Sequence, residues 1–382
     1  MKIYLVGGAV RDKLLGFNPK DNDWLVVGGT RDEMLKLGYK PVPNNHGTSE
    51  FPVFLHPETK EEYALARLEE RKGYGHGGFE FDTSSSITIV DDLKRRDLTI
   101  NAMAFPVEDE KMGELIDPYN GKVDLENRIL RHISPAFIDD PLRLIRTARF
   151  AACLGFEVAS ETMELMTQMV IEGRVSELRN ERIWMEMERA IKGPHPEKFF
   201  DVLKKCSADR ILFPYIKTPG PGINAMQRAA DHKNSAPVRF AALMLDLTQE
   251  EVTKFCKQFN LSNQYRDLAL LAIKNLPQFQ RLSELDAPEI LILLTNMGAF
   301  QNKERFNECL HVFGRYTQEP GYVEKIRNAF HAATSINTKD LASKYIGHEI
   351  TRRIKILRIE AIQQGMNFEL EGHNLDICNL DK

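Results

Sequence analysis

Two glycines and two aspartates near the start of this 382-residue chain have the types and spacing of a phosphate-transfer site. Gly7 and Gly8 follow an apolar run, and glycine allows backbone N–H groups to approach a ligand closely. Asp21 and Asp23 are two residues apart, so on a strand both carboxylates would face one side. A phosphate cradle beside paired carboxylates is what metal-assisted phosphoryl or nucleotidyl transfer requires. A tight turn and two solvated aspartates form the alternative interpretation.

Short strands and helices must position these four residues. The pattern predicts a buried strand at Ile3–Val6, a helix at Ala9–Leu15 that ends at Gly16, and a second strand from Asp21 to Val27. A helix N-terminus directly behind the glycines would favour a phosphate group. Further along, the sequence predicts one helix and two strands, at Arg31–Leu37, Phe51–Leu55 and Glu62–Ala66.

Three features of the next part of the chain leave alternatives open. Glu62 could add a third carboxylate to the site or form a surface salt pair. The glycine-rich, basic segment Arg67–Gly78 could close over a nucleotide or could be a long hairpin connection. The basic run Lys94–Arg96 would neutralise a triphosphate if it lay beside the carboxylates, and would otherwise be a solvated helix face.

A later helix carries a row of arginines. Pro141 suits the first turn of a helix that continues through Phe150. At about 100° per residue, Arg143, Arg146 and Phe150 share one side, with Arg149 at its margin. The opposite side is apolar and contains Leu142, Leu144, Ile145, Ala148 and Ala152.

Asp140 and Arg143 together have a specific use in reading a base. Cytosine and adenine both present an amino donor next to a ring-nitrogen acceptor, whereas guanine and uracil present the reverse. A carboxylate accepts from the amino group and a guanidinium donates to the ring nitrogen. A mispaired buried polar group costs about 1–3 kcal/mol, so the pair would accept C and A and reject G and U. In the alternative interpretation, Asp140 caps the helix and the arginines form a solvated stripe.

The composition limits which classes of protein this chain can belong to. The net charge is −4, so any contact with nucleic acid must use a local basic patch. The five cysteines are scattered and form no CxxC pair, which favours a reducing cytoplasm without a disulfide framework or zinc site. The longest uncharged apolar run, Ile290–Phe300, is too short to span a membrane. We therefore expect a cytoplasmic protein.

Taken together, these motifs resemble the bacterial class II CCA-adding enzymes, which are tRNA nucleotidyltransferases. The resemblance is strong over the first 150 residues and weaker beyond them. It rests on five segments that occur in the family's order and at its spacing: Leu5–Asp12, Asp21–Asp23, Arg95–Asn101, Asp117–Gly121 and Asp140–Phe150.

The resemblance implies an α+β fold, with a polymerase-β-like nucleotidyltransferase head on a small mixed sheet and an all-α neck, body and tail. It implies that Mg²⁺ is held by Asp21 and Asp23, and that Asp140 and Arg143 act as a protein template for the base. It also implies a set of residues that contact the incoming ATP or CTP: Gly8, Arg11, Arg96, Arg146 and Arg149. The family usually has Glu where this chain has Asp139, a departure that keeps the charge.

The expected domains are a catalytic head at 1–137, a helical neck at 138–222 and a helical body and tail at 223–382 that docks tRNA. The last part resembles a fused HD phosphohydrolase domain that has lost its metal site. Leu245 and Asn224 stand where such relatives have histidine, and leucine binds no metal. We therefore expect no phosphatase or phosphodiesterase chemistry there.

The expected activity is addition of C, C and A to the 3′ end of tRNA from CTP and ATP, without a membrane or an obligate protein partner. One alternative is a bacterial poly(A) polymerase, although Val42–Phe51 lacks the arginine-rich segment typical of those proteins. The other alternative is a catalytically silent RNA-binding relative, against which the intact pair Asp21 and Asp23 argues.

Overall fold

The computed structural model describes residues 1–19, 21–42, 53–71, 79–109, 111–338 and 345–377. The chain forms two compact units, Met1–Pro214 and Tyr215–Lys382, which are described separately. Within the described ranges, every helix is too short or too polar to cross a membrane.

The first unit is built on a seven-stranded mixed sheet with the strand order β3-β4-β5-β2-β1-β8-β9. Strand β1 pairs antiparallel with β2 and with β8, whereas β2 pairs parallel with β5. The strands are β1 (Lys2–Val6), β2 (Asp23–Val27), β3 (Lys40–Pro41), β4 (Val53–Leu55), β5 (Glu62–Leu65), β8 (Ala104–Glu108) and β9 (Lys111–Met112). A separate hairpin joins β6 (Leu68–Arg71) and β7 (Phe79–Asp82).

The central strands are buried on both faces, which explains their unbroken apolar runs. Tyr4 and Val6 of β1 pack in one core cluster with Leu93 and Ala102. On the neighbouring strand, Val26 belongs to a second cluster around Met34 and Phe54. The register then aligns Val6 with Asp23, and Asp23 with Glu62, so the ends of three strands meet at one edge of the sheet.

Helices surround and extend this sheet. Capping boxes at Thr30 and Thr88 satisfy the first amides of α2 and α3. The helices of the first unit are α1 (Gly8–Leu14), α2 (Arg31–Lys36), α3 (Ile89–Lys94), α4 (Gly121–Glu126), α5 (Leu142–Leu154), α6 (Ser160–Ile171), α7 (Asn180–Lys192), α8 (Pro196–Lys205) and α9 (Asp209–Leu212). The two-residue strand β11 (Glu157–Val158) lies between α5 and α6 and pairs with β10 (Ile129–Leu130).

The second unit consists of helices over the part of it that the structure describes. Helices α10 and α11 pack against α13 and α15 around fully buried phenylalanines such as Phe240 and Phe313. Its helices are α10 (Pro221–Asp231), α11 (Ala236–Met244), α12 (Gln249–Gln258), α13 (Asn263–Gln280), α14 (Ala287–Asn296), α15 (Lys303–Thr317), α16 (Pro320–Thr334) and α17 (His348–Ile377).

The structure confirms the predicted α+β class, with a mixed sheet followed by helices. It differs at Asp21, which precedes β2 because that strand begins at Asp23. Part of Arg67–Gly78 forms β6 and pairs with β7, as a hairpin requires, while residues 72–78 lie outside the described residues. Residues 51–52 of a predicted strand also lie outside them, and the three-domain division stays a prediction.

Candidate active site

One cavity of about 960 Å³ in the first unit brings together the nine residues that were predicted to bind metal or nucleotide. The sheet edge, α1 and α5 supply its walls. The predicted residues that line it are Gly8, Arg11, Asp21, Asp23, Arg96, Asp140, Arg143, Arg146 and Arg149.

Gly7 makes the turn from β1 into α1, and its surroundings require glycine. Its φ is +70°, a conformation that side-chain-bearing residues rarely adopt. A Cβ atom here would lie 2.8 Å from Nη1 of Arg96 and 3.5 Å from Oδ2 of Asp23. Gly7 therefore allows the backbone to sit between a cation and a carboxylate of the site. At Gly8 the nearest atom to such a Cβ would be Nη2 of Arg11, at 3.4 Å.

Asp21 and Asp23 share this cavity although only Asp23 lies in the strand. Asp23 reaches solvent, but the cavity walls remove part of its hydration, and this desolvation raises the pKa of its carboxyl group. The charge on Asp21 raises the pKa of Asp23 further, while Arg96 and Arg11 act against the shift. The carboxylates are therefore close enough to repel each other, as in a site that holds a cation.

Glu62 is the register neighbour of Asp23 on β5, and both border a smaller cavity of about 190 Å³. Within the described residues, however, no three carboxylate, histidine or cysteine side chains group as a metal site. Two carboxylates suit Mg²⁺, which commonly takes its remaining oxygen ligands from substrate phosphates and water. The donor set therefore fits a divalent cation, and Asp21 and Asp23 could hold it.

Asp92 organises the basic run, and sequence reasoning missed it. It is fully buried, and its Oδ1 accepts from Nε and Nη2 of Arg95 at 2.9 and 2.7 Å. Its Oδ2 accepts from Nη2 of Arg96 at 3.3 Å. Burial acts to raise the pKa of Asp92, but the charges of Arg95 and Arg96 outweigh it and lower the pKa. The spacing of three and four residues within one helical turn was the available signal.

Arg95 and Arg96 consequently turn into the cavity, while Lys94 stays exposed. The Nε atom of Arg96 is buried and has no hydrogen-bond partner among the described residues. Buried donors are normally paired, so an unpaired N–H on the wall of a cavity fits a role in binding an anion.

A chain of hydrogen bonds links α1 to α5 through Asn101 and Asp97, two further residues for which no role was predicted. Nη1 of Arg11 donates to Oδ1 of Asn101 at 2.8 Å, and Nδ2 of Asn101 donates to Asp97 at 3.1 Å. Arg146 donates to the other Asp97 oxygen through Nε at 2.8 Å and Nη2 at 2.7 Å. Two of the predicted nucleotide-binding arginines are thus fixed relative to each other.

Asp97 is charged at neutral pH. Its burial acts to raise the pKa, but Arg146, Asn101 and the amide of Leu98 outweigh this and lower it to about 2. The Asp97 charge in turn raises the pKa of Arg146.

Asp140 and Arg143 stand at the start of α5, and both are held by main-chain groups. The amide of Leu142 donates to Oδ1 of Asp140 at 3.0 Å, although Pro141, and not Asp140 as in the alternative interpretation, is the N-cap residue of α5. The Arg143 guanidinium donates to the carbonyl oxygens of Ala136 and Arg95 at 2.9 and 2.5 Å. These contacts use two of the five N–H donors of the guanidinium. They fix its position, and both residues still line the cavity.

Phe150 lies under three guanidinium groups and is 5% exposed. The Cζ atoms of Arg149, Arg11 and Arg146 lie 3.9, 5.3 and 5.7 Å from its ring centroid, within the range of cation–π attraction. Nε of Arg149 also donates to Oε2 of the buried Glu186 on α7. Helix α7 further contributes two arginines that the sequence analysis did not single out, Arg182 and Arg189.

The cavity is strongly positive although the chain as a whole has a net charge of −4. Among the described residues, nine arginines and five aspartates line it, an excess of four positive charges. The predicted local basic patch is therefore present, and it coincides with the two carboxylates. Such an arrangement can hold a polyphosphate next to a divalent cation.

In the second unit, Asp246 has a structural role. Its Oδ2 accepts from the Gly222 amide at 2.7 Å, and its Oδ1 accepts from the Tyr316 hydroxyl at 2.8 Å. Burial, together with the Asp246 contact, raises the pKa of Tyr316 to about 12. These bonds connect the start of α10 and the end of α15 to the residues that follow α11.

Comparison with known proteins gives consistent results along the chain. The family described as "Poly A polymerase head domain" matches residues 3–131, and "Probable RNA and SrmB- binding site of polymerase A" matches residues 155–218. A solved structure of a Thermotoga maritima CCA-adding enzyme complexed with tRNA superposes with a TM-score of 0.68 at 21% identity. It covers 96% of this chain and 91% of that one, and it supports the polymerase-β-like head with a helical body.

Two curated relatives carry the name CCA-adding enzyme. The Coxiella burnetii (strain RSA 331) protein is 42% identical over 369 residues, which cover 95% of each chain. The Pseudomonas putida (strain F1) protein is 43% identical over 372 residues, which cover 95% of this chain and 99% of the relative. At this identity over nearly the whole length, the chain belongs to the family of CCA-adding enzymes.

Proposed function

We propose that this protein adds and repairs the CCA end of tRNA, using CTP and ATP without a nucleic-acid template. The observation that carries the proposal is the convergence of a carboxylate pair, a glycine turn and an arginine-bearing helix on one cavity. The carboxylates suit nucleotidyl transfer in general. Asp140 and Arg143 supply the groups that select C and A.

In the reaction, the 3′ hydroxyl oxygen of tRNA forms a bond to the α-phosphorus of CTP or ATP and loses its proton to solvent. The bond from that phosphorus to the oxygen of the β-phosphate breaks, and pyrophosphate leaves with the electron pair. Asp21 and Asp23 would hold Mg²⁺, whose charge, when bound, stabilises negative charge on the phosphate oxygens. Catalysis by this chain's own residues is then mainly positioning and charge stabilisation.

The arginines of the cavity bind the nucleotide. Arg96 lies beside Asp23 at the Gly7 turn and contributes a buried unpaired N–H, which suits a phosphate oxygen. Arg11 and Arg146 are fixed to each other through Asn101 and Asp97, and Arg149 is fixed by Glu186. Since these side chains are already ordered, binding them to a nucleotide costs little conformational entropy.

The base is selected by Asp140 and Arg143, at the start of α5. Asp140 retains a second carboxylate oxygen besides the one that accepts from the Leu142 amide, and Arg143 retains further N–H donors. Their main-chain contacts hold both groups in one orientation. A base that presents an amino donor beside an acceptor satisfies them, whereas guanine or uracil leaves them unsatisfied.

The three-part division belongs to the same proposal: head at 1–137, neck at 138–222, and a tRNA-docking body and tail at 223–382 without HD-type chemistry. Asp246 supports this last point through its contacts to Gly222 and Tyr316. A cytoplasmic location is also proposed, because the four cysteines in the described ranges are free thiols.

An incorporation assay tests the function. Purified protein is incubated with Mg²⁺, radiolabelled CTP and ATP, and tRNA that lacks its 3′ CCA. We expect two C residues and one A residue per tRNA, and no product after chelation of the metal or with Asp21→Ala. No incorporation, or equal use of GTP and UTP, would contradict the proposal. Long tails from ATP alone would indicate a poly(A) polymerase, and tight tRNA binding without turnover a silent relative.

Arg143→Ala tests the base-reading role. Removing the guanidinium removes the donor that discriminates between ring nitrogens, so we expect the preference for CTP over UTP to fall by about 10- to 100-fold. Arg143→Lys is the matched control for charge, because it keeps the cation but cannot present two N–H groups in one plane. Unchanged selectivity in both variants would remove Arg143 from the base-reading role.

A further inference from the structure

The second unit contains a cavity of about 440 Å³ that the proposed reaction does not use. It lies among α10, α15 and α16. Its charged and titratable lining residues in the described ranges are Arg228, His311, Arg315, Glu324 and Arg327. Three guanidinium groups therefore share the cavity with a single carboxylate, and that carboxylate is only loosely paired, at 3.9 Å from Nη1 of Arg327.

Two of the three guanidinium groups, those of Arg228 and Arg315, are held by hydrogen bonds. Nε of Arg228 donates to the carbonyl oxygen of Arg315 at 2.6 Å. Nε of Arg315 lies 3.4 Å from Oδ1 of Asn234, which accepts from it. Asn234 therefore points its amide nitrogen at Nδ1 of His311, 3.3 Å away. His311 then accepts at Nδ1 and, when neutral, carries its proton on Nε2, so it adds a further donor to the cavity.

Among the described residues that line the cavity, positive charges outnumber negative ones by three to one. Burial and the neighbouring charge of Arg315 lower the pKa of Arg228. Burial and the charges of Arg327 and Arg315 likewise lower the pKa of His311. Like charges held together at partial burial destabilise one another, and a bound anion would relieve this repulsion.

The lining also indicates the chemical class of the anion. Besides the charged groups, the cavity is lined by Leu310, Gly314, Gln318 and Val323. It offers no Phe, Tyr or Trp side chain on which a base could stack, in the part of the chain that the structure describes. Guanidinium groups match phosphate oxygens in geometry and charge. These features fit a phosphate group whose attached base is not read.

We propose that this cavity binds a backbone phosphate of tRNA, with Arg228, Arg315 and Arg327 as its ligands. The inference rests on the proposed function, which brings tRNA to this protein, and it assigns a specific tRNA contact to the second unit. Because the contact involves a phosphate, it contributes affinity and position without sequence preference.

The test is the binding of tRNA lacking CCA to the full-length protein, measured by fluorescence anisotropy from about 50 to 300 mM KCl. Each phosphate contact adds about 0.7–0.9 to the slope of log K against log salt concentration. For Arg327→Gln, and for Arg315→Gln as a second variant, we expect the dissociation constant to rise about five- to tenfold, with a slope smaller by nearly one. The KM for CTP is expected to stay unchanged.

Two further variants make the test specific. Arg281→Gln removes the same charge from an exposed arginine outside the cavity, which pairs with Glu284 at 2.8 Å, and it is expected to bind tRNA like the wild type. Glu324→Gln removes the single carboxylate and is expected to tighten tRNA binding about two- to threefold, because the positive excess grows.

Several outcomes would overturn the inference. These are unchanged tRNA binding in both cavity variants, an equal loss in Arg281→Gln, or a higher KM for CTP with unchanged tRNA affinity, which would indicate a free-nucleotide site. Failure of the proposed function would look different. In that case the wild-type protein would show no incorporation of CMP or AMP, whatever the binding data.

Discussion

Gly7 shows how one residue without a side chain brings opposite charges together. The Arg96 guanidinium and the Asp23 carboxylate both approach the space that its Cβ atom would fill. Its positive φ adds a backbone reason for glycine. Close approach and backbone conformation are separate effects, and the chain contains a second glycine that separates them. Gly16 has a φ of +81° but nothing within 4 Å of a Cβ at its position.

We predict that Gly7→Ala abolishes most of the activity while Gly16→Ala retains it. Both substitutions force alanine to a positive φ, which costs on the order of 1–3 kcal/mol of unfolding free energy. Only Gly7→Ala displaces Arg96 from Asp23, and a displacement of about 1 Å in such a site lowers the rate about 100-fold. Steady-state CMP incorporation and urea denaturation of both variants provide the measurement. Equal activity losses would mean that backbone strain, and not the close approach, matters at Gly7.

At the same scale, the sequence identified the residues that face the cavity but not the residues that hold them. Asp21, Arg96 and Arg143 could be found from residue type and spacing. The contact of Arg149 with Glu186 joins residues 37 positions apart, and that of Arg146 with Asp97 joins residues 49 positions apart. Periodicity indicates which face a residue occupies, but it carries no information about which distant segment packs against that face.

At the scale of elements, α5 is the part of the site that most depends on tertiary contacts. Its apolar side packs on α7 and α8, while its arginines line the cavity. Arg146 of α5 is joined by Asp97 to the segment that follows α3, and Asn101 extends this connection to Arg11 of α1. Asp97 therefore couples α5, which carries the proposed base-reading residue Arg143, to the helix behind the glycine turn.

We predict that Asp97→Asn destabilises the protein in a pH-dependent way. The folded pKa of Asp97 is about 2, below its ordinary value of 3.8, so its charge contributes stability that is fully present above about pH 4 and is lost as pH falls towards 2. The shift corresponds to about 2 kcal/mol. Urea denaturation of both proteins between pH 6 and pH 2.5 measures the difference in unfolding free energy. If the difference in unfolding free energy between the two proteins stayed constant from pH 6 to pH 2.5, the charge of Asp97 would not be the source of the stabilisation.

The elements themselves were largely predictable, for identifiable reasons. Strand β1, helix α1 and helix α2 have clear apolar periods and are followed by glycines, so their predicted and observed bounds differ by at most one residue. The start of β2 was misplaced at Asp21, because alternation of aspartates looks the same in a strand and in the turn before it. The parallel pairing of β2 with β5, which aligns Asp23 with Glu62, needs the sheet order and could not be read from either strand alone.

At the scale of the molecule, charge is distributed very unevenly. The whole chain carries −4, whereas the arginines lining the candidate active site exceed its aspartates by four among the described residues. A second excess of positive charge occurs at the cavity among α10, α15 and α16. Composition alone would therefore indicate a protein that repels polyanions, and only the fold shows where it attracts them.

Whether the net charge or the local charge governs binding determines the direction in which added salt changes the affinity for CTP. If the net charge governed the encounter, added KCl would screen repulsion and lower the dissociation constant of CTP. If the local excess of arginines governs it, added KCl screens attraction and raises that constant, because the Debye length falls from about 10 Å at 0.1 M to about 3 Å at 1 M. We predict the second behaviour, with a rise in the dissociation constant of CTP of about fivefold between 50 and 500 mM KCl at constant Mg²⁺, measured by calorimetry without tRNA.

The Arg96→Gln variant should show a smaller rise in this constant, since it removes one cation from the cavity wall. A dissociation constant that falls as salt increases would mean that the arginines lining this cavity do not govern nucleotide binding.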